Sequence, residues 1–142
     1  MKNRNIQLTA ILFAVALALT PIAQAQEAPA PDDRPLITVH STDNVRRGKT
    51  GSFVLNMKPA LMLGGTYVSF SIGGTAVAGV DYVQPLSPAY IGQTGYGTIL
   101  IHTLRDPRAI SNPGSFSVVV RLEPGLAYAL GVQRSATMWI KP

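Results

Sequence analysis

From residue 36 onward the chain alternates apolar and polar side chains with a period of two, the period of a half-buried β-strand. Leu36–Ser41 places Ile37 and Val39 on one face. Residues 52–57 do the same with Phe53, Leu55 and Met57, and residues 66–72 with Val68, Phe70 and Ile72. Residues 98–104 carry Leu100 and Leu104 on one face and Ile99 and Ile101 on the other. Residues 115–122 align Phe116, Val118, Val120 and Leu122, and residues 135–140 align Ala136, Met138 and Ile140. Tyr82-Val83 and Ala89-Tyr90-Ile91 add short strand candidates. The gaps hold Gly, Pro, Asn and Asp, the residues that turns require. About seven strands at roughly even spacing predict an all-β fold, an antiparallel immunoglobulin-like β-sandwich. No internal repeat is visible, so residues 36–142 are expected to form one domain.

The first 35 residues follow another pattern. Lys2 and Arg4 precede an apolar stretch, residues 8–19, which Pro21 ends before Ala23-Gln24-Ala25. A basic start, a short apolar run and a small-x-small site make a secretory signal peptide over residues 1–25. The run falls short of the roughly 20 residues that a membrane span needs. No second run of that length follows, so no transmembrane segment is expected after cleavage. The reading is an exported protein, periplasmic or secreted, whose mature chain begins at Gln26. Residues 26–35 are rich in Pro and acidic residues and read as an extended, flexible arm.

The 142-residue chain has no cysteine, so neither a disulfide nor a thiolate metal site is available to it. The formal charge of +5 falls by two once Lys2 and Arg4 are removed. What remains is scattered and too weak to argue for nucleic acid. Arg46, Arg47 and Lys49 are the densest basic cluster and read as a solvated hairpin tip.

The most specific segment lies between residues 73 and 82. Strand-like residues 67–72 run into Gly73, Gly74, Thr75, Ala76, Val77, Ala78, Gly79, Val80, Asp81 and Tyr82. Glycines there permit positive φ or close backbone approach. Thr75, Ala76 and Ala78 are small enough to cross a sheet edge. Asp81 is suited to accept backbone N–H bonds in the turn, and Tyr82 to bury its ring with its hydroxyl bonded. On these residues the chain resembles the Calx-beta family, whose hallmark is a strand followed by G-T-A-x-A-G-x-D-Y. The match is Gly74, Thr75, Ala76, Ala78, Gly79, Asp81 and Tyr82. Residues 98–104, 116–122, 128–131 and 135–140 follow the family's order of later elements. The resemblance implies a β-sandwich and raises calcium, which some members bind through clustered carboxylates at one end. This chain keeps Asp81, has Asp106 where the family has two acids, and replaces the family's Glu-rich stretch with Ala109, Ile110, Ser111, Asn112, Pro113, Gly114 and Ser115. Near the first strand only Asp43 is available. A calcium ion wants about six to eight oxygens, several of them charged. Asp81 and Asp106 are therefore weak metal candidates, and no cofactor is expected.

Nothing in the inventory makes an enzyme. His40 and His102 lie in predicted strands, and His102, beside Leu100 and Leu104, is expected to be hydrogen-bonded and half-buried. There is no Gly-x-Ser-x-Gly and no phosphate loop. Asp32 and Asp33 sit in the arm, and Glu123 stands alone before a Pro-Gly turn. Two functional readings follow. One is a non-catalytic structural or interaction module that binds a protein or cell-envelope partner. Self-association by sheet-edge addition, with Tyr67, Tyr90, Tyr96 and Tyr128 as contact points, is one form of it. The other is a Ca²⁺-dependent binding module with a degenerate, weak site.

Overall fold

The structure is a computed structural model and describes residues 32–61, 63–105 and 113–142. The signal segment 1–25 and arm residues 26–31 lie outside that set, as does Asp106.

The alternating segments become strands where the pattern places them. They are β1 (Leu36–Ser41), β2 (Val45–Arg46), β3 (Thr50–Lys58), β4 (Thr66–Val68), β5 (Phe70–Gly73), β6 (Ala89–Ile91), β7 (Tyr96–His102), β8 (Phe116–Leu122), β9 (Ala129–Leu130) and β10 (Ser135–Lys141). No helix occurs among the described residues. One sheet runs β7-β3-β1-β9, a second β2-β10-β8-β5, and β4 and β6 form a small ribbon. The two large sheets pack their apolar faces together. Ile37, Val39, Phe53, Leu55, Met57 and Ile101 come from one sheet, and Val118, Val120, Met138 and Ile140 from the other, all 2% exposed or less. Each large buried aliphatic or aromatic side chain stabilises the fold by roughly 1.5–3 kcal/mol relative to exposure, so this interleaved layer carries the cohesion of a chain without disulfides.

Two features differ from the period-two reading. The run 66–72 is broken at Ser69: β4 pairs with β6, whereas β5 pairs with β8. At the break the Ser69 N–H donates to the Tyr128 hydroxyl (3.2 Å), and the Ser69 carbonyl accepts from Glu123 N–H (2.9 Å). Alternation continues through a change of sheet, because a strand that switches layers keeps its inward parity. The long ladders are antiparallel, but two edge pairings are parallel, β1 with β9 and β2 with β10. After β1 the chain crosses to the opposite sheet as β2, then returns as β3. Two-residue edge strands bury too little to leave a periodic trace, so β2 and β9 have no signal in the pattern. Tyr82-Val83, expected as a strand, makes one antiparallel bridge from Tyr82 to Thr103.

Candidate functional site

The motif turn is sewn onto β8. β5 ends at Gly73, and Gly74 takes φ +111°. A Cβ on Gly74 would stand 2.2 Å from the Ser117 carbonyl oxygen, so both the dihedral and the space require glycine. Thr75 and Ser117 then exchange bonds: Thr75 N–H donates to Ser117 Oγ (3.1 Å), and Ser117 N–H donates to Thr75 Oγ1 (2.8 Å). Ala76 N–H reaches the Ser117 carbonyl (2.9 Å). The following loop closes on itself, with Asp81 N–H donating to the Val77 carbonyl (2.8 Å) and Gly79 N–H to the Tyr82 carbonyl (2.8 Å). Beyond it, Leu104 N–H donates to the Asp81 carbonyl (2.8 Å) and Val83 N–H to the His102 carbonyl (2.9 Å). The motif thus staples β8 of one sheet to the end of β7 in the other.

Asp81 is the centre of this arrangement. Its side chain is fully buried. Oδ2 accepts the Val77 N–H (2.7 Å), and Oδ1 accepts from Arg47 Nη1 (3.1 Å). The Arg47 side chain is only 6% exposed, and its guanidinium lies over the Phe116 ring, 5.1 Å from the centroid. This corrects the expectation of a solvated basic tip at 46–49: Arg46 and Lys49 are exposed, but Arg47 turns inward. A bare buried carboxylate would cost several kcal/mol, and the guanidinium supplies the counter-charge it needs. Sequence spacing offered no hint, because the partners stand 34 residues apart. Tyr82 is buried beside them, with its hydroxyl 3.4 Å from Gln84 Oε1. Burial raises its phenol pKa, and the neighbouring Asp81 charge raises it further.

A calcium ion does not fit the described residues. Both oxygens of Asp81 are bonded within the protein. Asp43 is exposed and Asp106 lies outside the described residues. No group of three His, Asp or Glu side chains stands close enough to hold a metal among the described residues.

The other sequence candidates scatter. His40 and His102 are exposed. His102 was expected to be half-buried, but the inward face of β7 belongs to Ile99 and Ile101, and the ring instead reaches Thr50 Oγ1 at 2.9 Å. Tyr67, Tyr90 and Tyr96 are exposed, whereas Tyr128 is 3% exposed and is not a surface contact. Its hydroxyl donates to the Glu123 carbonyl (2.7 Å), the arrangement of a tyrosine corner. Asp32 is held by Arg34, whose Nε and Nη2 donate to its carboxylate at 2.8 and 2.7 Å. These bonds, and one from the Arg34 backbone N–H, lower the Asp32 pKa to about 2. Arg34 Nη1 in turn donates to the Gly125 and Tyr128 carbonyls (2.9 and 3.1 Å), so residues 32–35 lie against the loop after β8.

With the fold in view, a likeness emerges to a solved structure, the crystal structure of CBD12 from CALX1.2, a Calx-beta domain. The TM-score is 0.58 at 17% identity, over 74% of this chain and 44% of that one. The likeness is one of fold. The chain spans less than half the length of that structure. No protein-family model matches the chain, and no curated protein matches it in sequence.

Proposed function

We propose that this domain is a non-catalytic exported module that binds a protein partner or a cell-envelope component and holds its shape without calcium. The observation that carries this reading is the Arg47–Asp81 pair. In the Calx-beta resemblance Asp81 is the carboxylate offered to calcium, and here an internal cation already meets it in a buried setting. The scattered, exposed histidines and the lone Glu123 support a binding role over catalysis. Export rests on the basic, apolar and Ala-x-Ala succession of residues 1–25.

Thermal melts in excess chelator and in about 2 mM calcium, with magnesium as ionic control, test this reading. A dissociation constant no tighter than about 1 mM gives less than about 0.7 kcal/mol of stabilisation, a shift of only a few degrees. A calcium-specific rise of roughly ten degrees or more would require a real site and would make the domain a Ca²⁺-dependent module instead.

A further inference from the structure

The outer face of the β2-β10-β8-β5 sheet is basic and carries the chain's one tryptophan. β10 buries every second residue, so Ser135, Thr137, Trp139 and Lys141 point away from the core. Register sets their neighbours. Arg121 and Val119 of β8 lie opposite Ser135 and Thr137, and Arg46 of β2 lies beside Lys141. Beyond β8, Ser71 and Gly73 of β5 pair with Arg121 and Val119. The exposed strand positions of this face therefore hold three cations, Arg46, Arg121 and Lys141, and no carboxylate. Arg134, whose carbonyl accepts from Leu122 N–H, is a fourth exposed cation at the Arg121 end. None of the four makes an ion pair or a side-chain hydrogen bond among the described residues. Two hollows open beside Arg121. One, of about 410 Å³, is lined by Ser71, Gly73, Gly74 and Val119 besides Arg121, and the other, of about 390 Å³, adds Arg134 and Ser135. The first is open because position 73 has no side chain. Gly73 is not a positive-φ glycine, and a Cβ there would meet nothing within 4 Å. The fold thus requires glycine at 74 but not at 73. Glycine weakens a strand, and close approach of a ligand is one reason for a strand to hold it.

We propose that this face binds an anionic polysaccharide of the cell envelope, with a sugar ring against Trp139 and acidic groups at the cations on either side. A guanidinium matches carboxylate, sulfate or phosphate through paired hydrogen bonds. Trp139 is 44% exposed. An indole offers a broad apolar surface with a polar tip, against which the C–H face of a pyranose ring can lie. Ser71, Ser135 and Thr137 add exposed hydroxyls. Arg46 and Lys141 stand at one end of β10 and Arg121 at the other, roughly 20 Å away along the strand, which suits a polymer of repeated charges over a single small anion. β10 and β8 each have a bonded strand on both sides, so the face offers a peptide no free edge. Single-stranded nucleic acid is held by successive aromatic rings, and here there is one. A membrane anchor sets several apolar side chains on one exposed face, and Trp139 is the one large apolar side chain exposed on the strands of this sheet. The proposal rests on the reading of the domain as an exported interaction module and names the chemistry of its partner.

The test is a titration of the mature protein followed by tryptophan fluorescence, which reports on this face alone because Trp139 has no other tryptophan beside it in the chain. The probes, at about 0.15 M salt, are oligogalacturonate, which carries carboxylates, and heparin oligosaccharide, which carries sulfates. Dextran oligomer of matched length is the neutral control. At least one anionic oligosaccharide is expected to shift the emission saturably, and dextran to leave it unchanged. Arg121→Gln should weaken that binding at least about tenfold. Gly73→Val fills the hollow where backbone and space accept a side chain, and should weaken binding by a similar factor without lowering the melting point. Lys58→Gln removes an exposed cation from the other sheet and should change the affinity by less than about twofold. An emission that neither anionic oligosaccharide moves would overturn the proposal. So would equal losses in Arg121→Gln and Lys58→Gln, which would reduce the binding to net charge. Tighter binding of poly-glutamate, of a single-stranded DNA oligomer or of phosphatidylglycerol vesicles would also overturn it, and would assign the face to acidic protein, nucleic acid or membrane. An envelope partner mapped to another surface would defeat this site and leave the interaction-module reading standing, whereas calcium-dependent stabilisation would defeat that reading and not this site.

Discussion

At the scale of single residues, the Arg47–Asp81 pair outweighs the rest of the motif. If Asp81 only capped a turn, its loss would cost about 1–2 kcal/mol through missing hydrogen bonds. Because it is buried against a guanidinium, breaking this buried pair by removing one partner costs about 3–5 kcal/mol. Denaturant melts of Asp81→Ala and Arg47→Ala should each show a loss in that higher range. The double variant should lose less than the sum, since the two side chains bond directly and their losses are coupled. Single losses near 1 kcal/mol that simply add would show that the pair is not coupled. Tyr82 offers a second measurement at this scale. Its phenol is raised above the ordinary value of about 10 by burial and by the Asp81 charge. The neutral form is the one the fold favours. Stability from this group is therefore fully present below about pH 10 and is lost as pH rises through the raised value. Tyr82→Phe should abolish that alkaline component in melts followed from about pH 9 to 12. An unchanged alkaline profile in the phenylalanine variant would assign the loss to other groups.

At the scale of elements, two glycines of one motif separate dihedral from space. Gly74 and Gly79 both have positive φ, +111° and +79°. A Cβ on Gly79 meets nothing within 4 Å, whereas on Gly74 it meets the Ser117 carbonyl. Gly79→Ala should therefore cost about 1–2 kcal/mol, the penalty of a left-handed residue alone. Gly74→Ala should cost more, because the turn must also lift off β8 and break the Thr75–Ser117 bonds. Equal losses in denaturant melts would mean that the contact with β8 is dispensable. The same contact explains glycine at position 74: where the chain passes β8 at this distance there is no room for a side chain.

At the scale of the whole molecule, the sandwich has to stand on its two-sheet core. The Arg34 contacts fasten residues 32–35, the stretch before β1, to the loop after β8. The mature N-terminus is expected at Gln26, and intact-mass measurement of the protein recovered from the envelope or medium checks it. A full-length species held in the membrane would overturn the signal-peptide reading.

The strands β1, β3, β6, β8 and β10 were legible in the sequence to within two residues at each end. A half-buried strand imposes its period directly on the amino acids, whatever it pairs with. The all-β class followed from the same pattern, and the motif turn from residues chosen for lack of bulk. Partnership was not legible. Period two cannot say that residues 66–72 divide between sheets at Ser69, or that β9 pairs in parallel with β1 and β2 with β10. Nor could it show that Arg47, one of three basic residues in a row of four, is the one that turns inward to Asp81. Those facts depend on which segments meet in space across tens of residues, and only the packed fold brings them together.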